Sequence, residues 1–132
     1  MLIPALRYDD TEAALRFVSD VLQLEEHVVH RSEDGTIQNA QFKVGTGLMM
    51  FAPPQGGTFD EHMVAPKDVG NRATMSIYVV VQDIAARYDH IKATGANILQ
   101  PLEAQSYGGS NFTIADTEGH VWSFGDYDPM AS

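Results

Sequence analysis

Apolar and polar positions follow two alternating periods along this chain, and the switches between them mark out the elements. Ile3 to Tyr8 is apolar and held extended by Pro4, which predicts a first strand. Asp9-Asp10-Thr11-Glu12 then opens a helix. Asp9 and Glu12 are spaced as a capping box, and both acids suit the positive end of a helix. Ala14, Leu15, Val18, Val21 and Leu22 recur at helical spacing and form one stripe for burial. Strand-like runs return over Glu25–Arg31 and Ile37–Val44, on either side of Asp34-Gly35, a pair whose positions tolerate the positive φ of a hairpin turn. Gly45-Thr46-Gly47 turns the chain into Leu48–Ala52, completing a β-α-β-β-β unit over residues 1–52.

Residues 53–72 carry three prolines, three glycines and no clear period. A connector of that length inside one domain serves as a linker, a lid or a mobile arm. Phe59, His62 and Met63 are its members able to reach over a cavity. From Ala73 the first pattern restarts and runs to residue 128. Met75–Val81 predicts a strand, and Asp83 is expected to cap a helix with Ile84, Tyr88 and Ile91 on one face. Gly95 suits the left-handed position that closes that helix. Asn97–Glu103, Ser110–Ala115 and His120–Asp126 are the last three strands. A shift of 73 residues lays Asp10 on Asp83, Ala13 on Ala86, Gly35 on Gly108 and Phe51 on Phe124 without a gap. Such a repeat dictates architecture. The chain is expected to be one α+β domain, residues 1–132, of two tandem β-α-β-β-β modules forming a curved mixed sheet around a cleft.

Composition narrows the function classes. A length of 132 residues, 44% of them apolar, supports one packed core. No apolar run approaches the ~20 residues that span a bilayer, so no membrane partner is expected. The opening Met-Leu-Ile-Pro-Ala-Leu-Arg-Tyr lacks the basic segment and cleavage pattern of a signal peptide, which points to the cytoplasm. With no cysteine, disulfides, thiolate catalysis and cysteine-ligated zinc are excluded. A net charge of −10 repels nucleic acid. The same acidity serves solubility or attracts a cationic small molecule.

The paired modules, the Leu6-Arg7-Tyr8-x-Asp10 opening with its Ala-rich helix, and the run Asp116-Thr117-Glu118-Gly119-His120-Val121-Trp122-Ser123-Phe124-Gly125 resemble the vicinal oxygen chelate superfamily. This is the group of glyoxalase I, the bleomycin-resistance proteins and the extradiol dioxygenases. The resemblance implies that a metal, where present, is held from the first and last strands of each module, by His, Glu or Gln. Carried onto this chain, those positions are Ile3, Met50, Ser76 and Ser123. A divalent ion of this class needs imidazole or carboxylate donors at ~2 Å, so no metal and no cofactor is expected. The five histidines do not replace the missing donors. His27 and His30 are three apart on a strand and point to opposite faces. His62 lies in the connector, His90 in a helix and His120 at a turn, without metal-ligand spacing.

In the same register Ile3, Ala5, Arg7, Met50, Ser76, Tyr78, Val121 and Ser123 face the cleft, and Phe112 and Ile114 are expected to join them. That wall is mostly apolar, with Arg7, Ser76, Tyr78 and Ser123 as polar handles, and suits a planar or aromatic molecule. Tyr107 is either a rim that stacks on a ligand ring or a residue that closes its hairpin. Arg7 either binds a polar ligand group or pairs with Glu25 or Glu103. Trp122 and Met49, in the alternate register, belong to the core. No nucleophile–base pair is visible, and no catalytic residue is assigned. The resemblance therefore implies metal-free binding of a small aromatic or cationic molecule, nearest the bleomycin-resistance branch, by a homodimer. Its rivals are a metal-dependent lyase or dioxygenase and a metal-independent isomerase or transferase-like enzyme using Arg7, Tyr78 or Tyr107. Gln23 stands where the family often has glycine, which bears on how the first helix ends.

Overall fold

The computed structural model describes residues 1–131. The first module comprises β1 (Ala5–Arg7), α1 (Thr11–Arg16), a π-helical turn over Phe17–Val21, β2 (Glu25–Arg31), β3 (Ile37–Val44) and β4 (Gly47–Ala52). The second comprises β5 (Ser76–Val80), α2 (Ile84–Ala93), β6 (Asn97–Ala104), β7 (Ser110–Ala115) and β8 (Val121–Gly125). Each module forms its own four-stranded sheet, ordered β1-β4-β3-β2 and β5-β8-β7-β6. In both, the first strand lies parallel to the fourth and the other pairs are antiparallel. A parallel pair requires a long crossover, which the helix and the intervening hairpin supply. Ala5 pairs with Met50 and Tyr78 with Ser123, so the offset seen in the sequence is also the register of the strands.

Period-two alternation then sorts the side chains. Leu6, Phe42, Met49 and Phe51 on one sheet, and Val79, Phe112, Ile114, Trp122 and Phe124 on the other, are buried against the helices. Phe112 and Ile114 thus depart from their expected place in the cleft. Phe112 pairs with Phe124 and Ile114 with Trp122 across an antiparallel ladder. Directly paired residues share a face, so both follow their partners into the core. Among the described residues no helix is long and apolar enough to cross a membrane.

The helix starts differ from the sequence expectation. Asp10, not Asp9, caps α1, its carboxylate accepting from Ala13 N at 3.0 Å. Glu12 turns away and pairs with Arg31. The Asp9 and Asp10 amides instead donate to the two carboxylate oxygens of Glu118, both at 2.8 Å. Asp83 makes no side-chain cap bond and faces Arg87 at 3.8 Å. Gly95 does take the left-handed conformation, with φ 83°. So does Gln23, at φ 58°, a position where glycine carries no steric penalty. The connector holds two short 3₁₀ turns, Thr58–His62 and Pro66–Val69.

A buried polar cluster clasps the modules together. Asp116 Oδ2 accepts from the Tyr8 hydroxyl and, at 2.9 Å, from Trp122 Nε1. Its Oδ1 accepts from Glu118 N and His120 N at 3.1 and 2.9 Å. With the Glu118 bonds to Asp9 and Asp10, the turn before β8 is fixed to the turn after β1. That contact joins the two modules at the ends of β1 and β8.

Candidate ligand-binding site

Arg7, Met50, Ser76, Tyr78 and Ser123 lie on the sheet faces away from the helices. Arg7 pairs with neither Glu25 nor Glu103. Its Nε donates to Asp60 Oδ1 at 3.1 Å, and its guanidinium stacks on the Phe59 ring at 4.7 Å from the centroid. Glu25 faces Lys43 instead, at 3.8 Å. Asp60 Oδ2 accepts from Gln55 N and Gly56 N at 2.5 and 2.7 Å. The Gln55 amide, supported by Gly56 and Arg7, holds the Asp60 carboxyl below its usual range.

On the second sheet Ser76 is exposed beside Val121. Tyr78 lies across Gly125, where any Cβ would collide with its ring, and its hydroxyl donates to Tyr127 O at 2.7 Å. Partial burial raises the Tyr78 phenol above its ordinary value. Ser123 Oγ bonds Thr113 Oγ1 at 2.7 Å. Tyr107 is 60% exposed in its hairpin, yet its hydroxyl accepts from Asn111 Nδ2 at 2.9 Å and its ring meets Tyr127 edge-on at 5.3 Å. Tyr127 escaped the sequence reading because period-two alternation ends at Gly125 and leaves no signal for its direction. Phe112 is 0% exposed, packed between Tyr88 and Phe124.

A cavity of about 300 Å³ opens where β1 meets the starts of β5 and β8, beneath the connector. Ala5, Leu6 and Ile77 form its sheet wall, with Val121 and His120 at one end. Met63, Val64, Val69, Arg72 and Met75 close it from the connector side, with His62. Ala5 and Val121 belong to the expected cleft lining, whereas Arg7, Met50, Ser76, Tyr78, Tyr107, Phe112 and Ser123 do not line this cavity. The aperiodic connector supplies much of the wall, which is why alternation could not reveal it. His62 and His120, unrelated by spacing, meet on the same cavity. His120 Nε2 bonds Arg7 O at 2.8 Å and its ring packs edge-on against Tyr8 at 4.8 Å, so it is anchored. The volume lies at the small end of the ~300–1,000 Å³ typical of ligand pockets.

The residues at the four family metal positions do not fit a divalent ion. Ile3 and Met50 offer no hard donor, and the Ser123 hydroxyl is engaged by Thr113. Among the described residues no three His, Asp or Glu side chains converge.

Paired β-α-β-β-β modules with open faces define a glyoxalase-type domain. The model of the Glyoxalase/Bleomycin resistance protein/Dioxygenase superfamily matches residues 3–124, and the chain belongs to that superfamily. An uncharacterized protein of Mycobacterium bovis is 25% identical over 124 residues, spanning 94% of this chain and 81% of its own length. The crystal structure of TioX from Micromonospora sp. ML1 superposes with a TM-score of 0.71 at 24% identity, covering 94% of this chain and 95% of that one. The fosfomycin resistance protein FosX from Listeria monocytogenes gives 0.70 at 14% identity, covering 98% and 93%. At these identities the structural likeness establishes the fold.

Proposed function

We propose that this chain binds a small aromatic or cationic organic molecule without a metal, by sequestration, in the manner of the bleomycin-resistance branch. The observation that carries this reading is the apolar cavity walled jointly by β1, β5, β8 and the connector. Burying a planar ligand there gains roughly 25 cal/mol per Å² of apolar surface, and the exposed ring of Phe59, in the same 3₁₀ turn as His62 of the cavity wall, offers a stacking platform. A net charge of −10 favours a cationic ligand over an anionic one during encounter. Ile3, Tyr78 and Val80 stand exposed on the open faces. A second copy of the chain would cover them, so the binding unit is proposed to be a homodimer, working in the cytoplasm.

Calorimetric titration with the cationic planar dye thioflavin T and with neutral polycyclic aromatics tests the reading. Saturable binding without added metal is expected, and Ala5→Trp, which fills the cavity from the β1 side, should abolish it. Binding that appears only with added Mn(II) or Zn(II), or that is indifferent to Ala5→Trp, would reject it.

A further inference from the structure

Resting on that reading, we infer that Asp60 is a specificity-determining residue: by latching Arg7 it makes the cleft refuse anionic ligands. Arg7 projects from β1 on the open face, where an unpaired guanidinium would be a ready fork for a carboxylate, sulfonate or phosphate. Its charge is already countered through Nε. Asp60 Oδ1 holds Arg7 Nε at 3.1 Å, the two side chains are 15% and 18% exposed, and Phe59 covers one face of the guanidinium.

The latch is also preset on the connector side. Asp60 Oδ2 is committed to the Gln55 and Gly56 amides, so the carboxylate is held in place whether or not Arg7 is present. An incoming anion must compete with the ion pair and sit beside a carboxylate anchored through its other oxygen. A neutral or cationic aromatic meets a neutralised pair and the exposed ring of Phe59. The latch adjoins the cavity, because Asp60 and His62 belong to one 3₁₀ turn and His62 forms part of the cavity wall. His120, on the same wall, bonds the Arg7 carbonyl.

Asp60→Asn separates the charge from the turn. The Asn carbonyl oxygen can replace Oδ2 as acceptor for Gln55 and Gly56, while its NH₂ faces the guanidinium, donor against donor, and frees Arg7. The probes are thioflavin T as the cation and anilinonaphthalene sulfonate as the anion, followed by fluorescence titration. The wild type should prefer thioflavin T. In Asp60→Asn the sulfonate should bind about tenfold more tightly, the effect of one close charge at intermediate dielectric. The double variant Arg7→Gln/Asp60→Asn should lose that gain, which separates Arg7 from Arg72 on the cavity wall as the anion's partner. Arg7→Gln alone leaves Asp60 uncompensated and should tighten thioflavin T by a similar factor.

An unchanged ratio of the two dissociation constants in Asp60→Asn, with the near-ultraviolet circular dichroism intact, overturns the inference while the binding reading stands. If Asp60→Asn loses that signal, Arg7→Gln decides, and unaltered thioflavin T affinity overturns it. Failure of the wild type and every variant to bind either dye removes the binding reading itself and this inference with it.

Discussion

At one junction between the modules, the turn before β8 reaches Tyr8, Asp9 and Asp10. At the other, related to it by the 73-residue repeat, the turn before β4 faces Gln82 and Asp83 across a gap. Lys43 and Gly45 stand where the first junction has Asp116 and Glu118, Val81 where it has Tyr8, and Met49 where it has Trp122. The first junction is closed by two buried carboxylates with every oxygen engaged. The second keeps a gap of about 370 Å³, edged by Gly45, Gln82, Asp83 and Arg87, and leaves Arg87 Nε buried without a hydrogen-bond partner. The modules therefore repeat their strands and apolar core but not their polar contacts. One junction is tied by a buried polar cluster, and the other is bridged from α2 by Arg87 to Leu22 O at 2.7 Å and His90 to Asp20 O at 2.8 Å.

The largest effect should come from emptying the closed junction. Asp116→Ala strands the Tyr8 hydroxyl, the Trp122 N–H and two backbone amides at a buried site. A loss of about 3–5 kcal/mol is expected, by the cost of leaving charged-group hydrogen bonds unmade. Lys43→Ala, its counterpart across the repeat, removes a half-exposed side chain and should change stability by less than about 0.5 kcal/mol. Urea denaturation of both variants measures the contrast, and equal losses would show that the junctions do not differ as described.

The same contrast explains what the sequence could reveal. Alternation and the repeat expose the strands and the burial of Trp122, because each depends on residues close in sequence or on one offset. Phe112 was legible in principle, since the short Thr117-Glu118-Gly119 turn puts it opposite Phe124 and so on the Trp122 side. The caps were not. Asp9 looks like a helix cap until Glu118, more than a hundred residues away, takes its amide. Arg7 and Asp60 lie 53 positions apart, in a strand and an aperiodic connector. No local pattern joins them, and nothing near Asp60 in the sequence sets it above Glu25 or Glu103 as a partner for Arg7.

Titration of Tyr8 gives a second, smaller test. Burial, followed by the charge of Asp116, raises its phenol well above the ordinary value. In the unfolded chain the group loses its proton near pH 10, while the folded protein still holds it. The stabilisation is thus fully present below about pH 10 and declines as pH rises further, by about 1.4 kcal/mol per pH unit from this one group. Denaturation curves collected from pH 9 to 11 should show that decline in the wild type, with the corresponding part missing from Tyr8→Phe. Val81, in the matching place of the open junction, does not titrate and predicts no such slope. Parallel pH profiles for wild type and Tyr8→Phe would mean that the hydroxyl is not held as the closed junction requires.

The smallest change belongs to the open junction itself. Arg87 donates from Nη1 to Leu22 O at 2.7 Å but meets Asp83 only at 3.8 Å, and its Nε is already desolvated without compensation. Arg87→Met keeps the apolar stem, gives up one hydrogen bond and removes one unpaired buried donor, so the terms oppose each other. A net change within about 1 kcal/mol is expected, in either direction. Combining it with Asp116→Ala sharpens the comparison, because the two side chains share no partner and their effects should add to within about 0.5 kcal/mol. A larger coupling would mean that the open junction tightens or slackens in response to the closed one. The angle between the sheet faces, and with it the cavity between them, would then be set jointly by both ends of the repeat rather than by the Asp116 clasp alone.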